Sequence, residues 1–227
     1  MYGKTKLTKL TKRQIKEDKF TVFMLKVRDQ FLHYWQYTVI GLVVVILLVI
    51  GIVYYINSQQ ARTQEAAAKF ARALIDYRMG NNQLAILSMS QIIDEYGDKK
   101  VAEQATFMLG VINYQTRNYP EAIRYYEMYL SKYRDNKLNR AAAKAGIAAS
   151  LENQGQYREA AEGFVAACDE YPDGPSAGDY HFSAMRNFLE VGEIDEAQAH
   201  LDIIKNEYEG SQLVNRAIRL FSEKART

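Results

Sequence analysis

The chain has 227 residues, 48% of them hydrophobic and 25% charged, with a formal net charge of +2. That length holds one globular unit plus accessories. A single cysteine excludes an internal disulfide, and the near-balance of charge excludes a domain that spreads a basic face over nucleic acid. The balance hides an asymmetry. Residues 1–35 carry nine Lys/Arg against Glu17, Asp18 and Asp29, a net of +6, which leaves −4 for everything after them.

Within that basic stretch, Leu7, Leu10, Ile15, Phe20, Phe23, Val27 and Phe31 fall at mostly helical spacing among lysines. Thr11-Lys12-Arg13-Gln14 fits a capping box, where hydroxyl and amide each satisfy a free backbone donor. The pattern predicts a basic amphipathic arm over 1–35, lying on anionic cytoplasmic lipid or docking a cytoplasmic or membrane partner.

Tyr37 to Ile56 reads YTVIGLVVVILLVIGIVYYI, without a single charge. As a helix it reaches about 30 Å, the thickness of a bilayer's hydrocarbon core. Tyr34, Trp35 and Tyr37 at one end and Tyr54 and Tyr55 at the other suit an interfacial aromatic belt. A transmembrane helix is expected over 36–56. The positive N-terminal flank predicts a cytoplasmic N-terminus and a single pass, with the remaining chain across the membrane. The apolar run exceeds that of a cleaved signal peptide and no A-x-A site directly follows it, so a signal anchor is expected. Gly41 and Gly51 are ten apart, so no G-x-x-x-G invites two spans into close contact. No Pro or Gly interrupts Ile52 to Met79, and the span is expected to run on into the first helix beyond it.

From residue 57 a period takes over. Tyr96, Tyr133, Tyr171 and Tyr208 are spaced 37, 38 and 37 residues apart, and so are Ala85, Ala122, Ala160 and Ala197. Gly80, Arg117, Gly155 and Gly192 keep the same beat. Three markers in one register signal a stacked repeat array, with units from about 66, 103, 141 and 178. Asn118-Tyr119-Pro120 puts a capping Asn ahead of a first-turn Pro, and all three prolines lie at expected helix edges. Ser211 is expected to cap a last helix over 211–225, whose Leu213, Ile218 and Phe221 would cover the open end of the stack. The fold class is therefore all-α: a single transmembrane helix, then an α-solenoid of about four helix pairs over 57–227 with a C-terminal capping helix.

The third unit, with Ala148, Leu151, Gly155, Tyr157, Ala160, Phe164, Ala167 and Pro172, resembles the tetratricopeptide repeat. There small residues let two antiparallel helices pack closely and a proline stops the second. The basic repeat of that family is about 34 residues long. Here the extra residues fall between units, as in repeats of bacterial cell-envelope proteins. The whole layout of basic arm, aromatic-flanked span and helical repeats is similar to that of the ancillary subunit of the bacterial Sec translocon. Related repeat proteins of outer-membrane assembly and of periplasmic division coordination lack this kind of anchor and fit less well. The resemblance implies a bacterial inner-membrane protein with periplasmic repeats. Its partners would be the translocon, chaperones and exported chains, or a larger membrane complex, together with membrane lipid. Neither nucleic acid nor a small-molecule substrate is expected.

The family's groove is lined by first-helix positions 2, 5, 9, 12 and 13. On that resemblance the candidate protein-binding groove comprises Phe70, Tyr77, Phe107, Val111, Tyr114, Asn153, Phe182 and Arg186. Rings at these positions either receive an extended apolar segment or partner helix, or pack between units. Tyr125 and Tyr129 exceed the pattern and suggest a second patch on the outer face. No G-x-x-x-x-G-K, H-E-x-x-H, G-x-S-x-G or paired C-x-x-C is present, and no catalytic residue, cofactor or metal is assigned. His181 and His200 belong to the two helices of the fourth unit and can approach each other, while Cys168 reads as a small buried apolar residue. Asp94, Glu95, Asp169 and Glu170, at the ends of second helices, read as solvated. Two functions stay open: a holder of exported clients, or a fixed brace in a larger complex.

Overall fold

The computed structural model describes residues 12–225, with side chains from residue 19 onward. Among them are nine helices: α1 (Lys12–Arg78), α2 (Asn82–Glu95), α3 (Lys100–Gln115), α4 (Tyr119–Lys132), α5 (Lys137–Asn153), α6 (Tyr157–Glu170), α7 (Ala177–Glu190), α8 (Ile194–Glu207) and α9 (Gln212–Lys224). The chain divides into two compact units, residues 1–60 and 61–227. In the first, the described part is helix α1 alone. The window of α1 that is long and apolar enough to cross a membrane has none of its side chains buried against protein. The residues before Lys12, including Thr11 of the expected capping box, lie outside the described residues.

The second unit is a stack of helix pairs: the end of α1 with α2, then α3 with α4, α5 with α6, α7 with α8, and α9 last. Each sequence marker has a physical task. Ala85, Ala122, Ala160 and Ala197 are fully buried in the second helices, where a methyl group is all the close approach of two helices admits. The four tyrosines are the residues that end α2, α4, α6 and α8. Gly80, Arg117, Gly155 and Gly192 all have φ between 61° and 83°. Each sits between the two helices of a pair, where a left-handed residue closes the first helix. Asn81, Asn118, Gln156 and Glu193 then donate backbone N–H groups to the carbonyls of Asp76, Asn113, Leu151 and Phe188 at 2.8–3.0 Å. Those bonds satisfy carbonyls that the helix end would leave open.

Three cores run along the stack. The first helix pair and α3 share one around Met89, Ile92, Tyr96 and Leu109. The α4–α5 junction centres on Tyr126 and Tyr129, and units 3 and 4 with α9 form the third around Phe164, Met185 and Ile204.

Several details depart from expectation. Asn118 makes no side-chain cap; its Nδ2 donates to Asn113 Oδ1 at 3.2 Å instead. Ser211 precedes α9 but also makes no side-chain cap bond. On α9, Leu213 and Phe221 cover the end of the stack as expected, but Ile218 faces solvent, and Val214 and Leu220 pack in its place. Tyr129 is wholly buried, not part of an outer patch: its ring packs between those of Phe107 and Tyr133, 5.4 and 5.3 Å away. Its hydroxyl donates to Glu103 at 2.8 Å, and burial pushes its pKa up to about 12. Tyr125 packs against the first core, with the Arg124 guanidinium 4.1 Å from its ring centre. Glu170 is not solvated. It accepts from Arg140 and Lys144, each at 2.6 Å, and the Arg140 hydrogen bond, followed by that from Lys144, lowers its pKa to about 2.

Candidate functional site

The first helices of the four pairs bring the candidate groove residues into two groups. Phe70 and Tyr77 of α1 pack, partly exposed, on the first core with Leu74 and Tyr125. Phe107, Val111 and Tyr114 lie one turn apart along α3, all partly exposed, over the α4–α5 core. Phe107 stands edge-on to Tyr126 and Tyr129 with ring centres 5.8 and 5.4 Å away. That ring therefore supports the core as well as facing outward. Phe182 of α7 is only 8% exposed and lies beneath the guanidinium of Arg216, 4.7 Å from its ring centre. The capping helix thus covers one expected groove ring.

A row of polar bonds ties each first helix to the next element along the stack. Tyr77 donates to Gln115, and Asn153 Nδ2 donates to Tyr114 Oη at 3.3 Å. Tyr119 Oη donates to Asn153 Oδ1 at 3.1 Å. Arg186 pairs with Glu152 at 2.7 Å, and Lys224 with Glu190 at 2.9 Å. So Tyr77, Tyr114, Asn153 and Arg186 are bonded between units. The sequence points to those residues by register but misses Gln115 and Tyr119 as partners. The available signal is that the bonded polar positions lie one repeat apart.

Away from that row, His181 and His200 do meet, with Nδ1 atoms 3.0 Å apart. Burial, and then the neighbouring ring, lowers the pKa of His200 to about 4. Burial also lowers that of His181. The pair is thus neutral at pH 7, one ring donating to the other. Among the described residues no group of three or more His, Cys, Asp or Glu is placed to hold a metal ion. Cys168 is buried and its thiol is pushed up to about 12 by that burial, which removes the reactive thiolate. In the N-terminal unit Tyr34, Trp35, Tyr37, Tyr54 and Tyr55 are all exposed along α1.

Pairs of antiparallel helices stacked in register, closed by an amphipathic helix, define an α-solenoid whose working surfaces are its faces and ends. The model of the Tetratricopeptide repeat-like domain matches residues 28–171, and the chain belongs to that family. Among solved structures, the apo form of RapI is similar in fold, with a TM-score of 0.60 at 14% identity. The match covers 71% of this chain and 63% of RapI, so the chain spans less than two thirds of that protein. A putative kinesin light chain with nearly identical TPR-like repeats from Podosopora anserina matches with a TM-score of 0.55 at 14% identity, covering 71% of this chain and 89% of that one. Identities this low speak for the fold alone. No curated protein sequence gives a significant match.

Proposed function

We propose that the chain is a single-pass, membrane-anchored docking module that presents its repeat array to other proteins. Residues 1–35 would form the cytoplasmic arm, 36–56 the span and 57–227 the periplasmic repeat domain of a bacterial inner-membrane protein. The apolar stretch of α1 with no protein packed on it, the aromatic rings flanking it and the basic flank before it support the anchor. Repeat arrays of this family generally serve protein–protein interaction, and the layout similar to the Sec translocon's ancillary subunit favours exported chains and chaperones as partners.

One observation carries the docking reading: Phe107, Val111 and Tyr114 stand in line on α3, partly exposed, at the positions that line the groove in this family. An extended apolar segment or amphipathic helix fits such a row. The test is crosslinking in intact cells followed by purification in mild detergent. Replacing Phe107 and Tyr114 with Ala is expected to abolish client capture. Because Phe107 also braces Tyr129, Val111→Asp is the cleaner variant and should lower capture at least tenfold in protein that keeps its helical circular dichroism. Undiminished capture by a folded Val111→Asp protein rejects the groove.

The bonded row supports a second reading, a rigid brace in a larger complex. Tyr77, Tyr114, Asn153 and Arg186 all commit polar groups to neighbouring units, which stiffens the stack. A brace co-purifies with one stoichiometric complex; a client holder brings down translocon subunits and a spread of exported chains.

A further inference from the structure

The two ends of the array are built differently. At the far end α9 covers α8, with Leu213, Val214, Leu220 and Phe221 packed on the core that holds Leu201 and Ile204. At the near end the outward face of the first pair is bare, with Ile75, Met79, Leu84 and Leu87 exposed beside a polar cleft. Inside the stack, Ala105, Leu109 and Ile112 of α3 are fully buried with Ala85, Met89 and Ile92 of the preceding second helix. One period upstream, those α3 positions are Ala68, Arg72 and Ile75 of α1. No second helix of a preceding pair stands before them among the described residues. Ile75 is 55% exposed and Met79, one turn on, 71%.

The face continues onto α2. Leu84 and Leu87 are 49% and 56% exposed. Their counterparts in later second helices are Glu121 and Arg124, Glu159 and Glu162, then Glu196 and Ala199. Elsewhere these positions are charged or small; only the first pair puts leucines there. Between the two helices Glu65, Ala68, Lys69, Arg72, Ser88 and Gln91 line an open cleft of about 300 Å³. One turn along each helix from that cleft lie Ile75 and the two leucines, by the three-and-four spacing of a helix face.

Charge and register select the occupant. No carboxylate among the described residues pairs with Arg72, while Glu65 on the same helix is held by Lys69 at 3.4 Å. A second copy of this chain fits poorly. Its second helices are already covered by the first helices that follow them, and α8 by α9. We propose that this end face docks an amphipathic helix of a different protein, laid where a preceding second helix would pack. Its apolar side would cover Ile75, Met79, Leu84 and Leu87, and one carboxylate would meet Arg72. This rests on the array being a protein-docking module but not on the groove.

The experiment places p-benzoylphenylalanine at Leu87 in the full chain and irradiates intact cells. The crosslinked segment is then mapped by mass spectrometry. Glu162, the same register position two pairs further along, serves as the control site. The expected result is an adduct with one other protein, at a segment with apolar residues three and four apart and an acidic residue beside them. Arg72→Glu should lower its yield at least fivefold, and changing the mapped acid to Lys should restore it. Val111→Asp should leave it unchanged, which separates this face from the groove. Lipid adducts, adducts only with a second copy, a segment without an acid, insensitivity to Arg72→Glu, or a yield no higher than at Glu162 each overturn the proposal.

Discussion

Tyr126 of α4 and Leu201 of α8 occupy the same place in the repeat, two units apart, yet their surroundings are built on opposite volumes. Tyr126 is flanked by two glycines. A Cβ on Gly110 would stand 2.6 Å from its ring, and one on Gly146 2.5 Å. Leu201 shares its core with Met185, the register counterpart of Gly110, and with Leu220 and Phe221 of the cap. Between them, Phe164 packs in the pair that carries Ala148 at the Gly110 position. As the second-helix side chain shrinks, its partner grows. The two positions are traded against each other from pair to pair, so it is their fit rather than the identity of either residue that recurs.

The sharpest way to break that compensation is Gly146→Ala. The Tyr126 ring is buried and hemmed from the other side by Gly110, so it cannot swing clear of the added methyl. Overpacking of this kind should cost about 3 kcal/mol, read as a lower melting temperature of the full chain in detergent by circular dichroism. Adding Tyr126→Leu, which copies the leucine of α8, should recover at least half of the loss. Strict additivity of the two changes would show that the methyl and the ring never compete.

A second contrast lies between ion pairs at the ends of second helices. In unit 3, Arg140 reaches Glu170 and also donates to the carbonyls of Leu130 and Tyr133 at 3.0 Å, pinning α4, α5 and α6 together in a largely buried spot. In unit 1, Lys69 meets Glu95 at 2.6 Å with both side chains about half exposed. Removing Arg140 leaves those two carbonyls unsatisfied and Glu170 with Lys144 alone, so Arg140→Ala should cost about 2 kcal/mol. Glu95→Gln should stay within about 0.5 kcal/mol, as exposed pairs do. The pH dependence follows from the lowered Glu170 pKa. The folded state holds this carboxylate charged more strongly than the unfolded chain does. Its contribution is therefore present above the ordinary carboxylate value of about 4.5 and is lost as pH falls toward about 2. An acid melt of the Arg140→Ala protein should show that component reduced, because Lys144 still holds Glu170.

These contrasts also show where the sequence speaks and where it falls silent. The alanines, the tyrosines and the turn positions are legible because each recurs for a local reason: a close helix crossing, a helix end, a left-handed residue. The groove candidates are placed by the same register, and their bonds to one another are not, because Asn153 and Tyr114 are polar residues on different units with no local pattern joining them. Glu170 reads as solvated because its partners, Arg140 and Lys144, lie on the preceding helix α5, beyond the reach of any local pattern. Tyr129 reads as surface because it exceeds the repeat, although it is buried. Nor can periodicity reveal the bare end face. Leu84 and Leu87 read as ordinary helix residues until it is known which pair has no neighbour.

The smallest effect tests the turn marker itself. Gly80, Gly155 and Gly192 meet the left-handed requirement without a side chain, while Arg117 meets it at φ 61° with one. A Cβ in that region crowds the following carbonyl at a cost of roughly 1–2 kcal/mol, part of which glycine returns to the unfolded chain as entropy. The Arg117 side chain is exposed, so its removal gives up little packing. Arg117→Gly should thus raise stability by about 0.5–1 kcal/mol, whereas Gly155→Ala at the matching turn should lower it by about 1 kcal/mol. Opposite signs at two positions with the same backbone bonds would show that strain, not sequence context, sets the preference. A loss of stability in both would mean that the Arg117 side chain contributes more than its backbone costs.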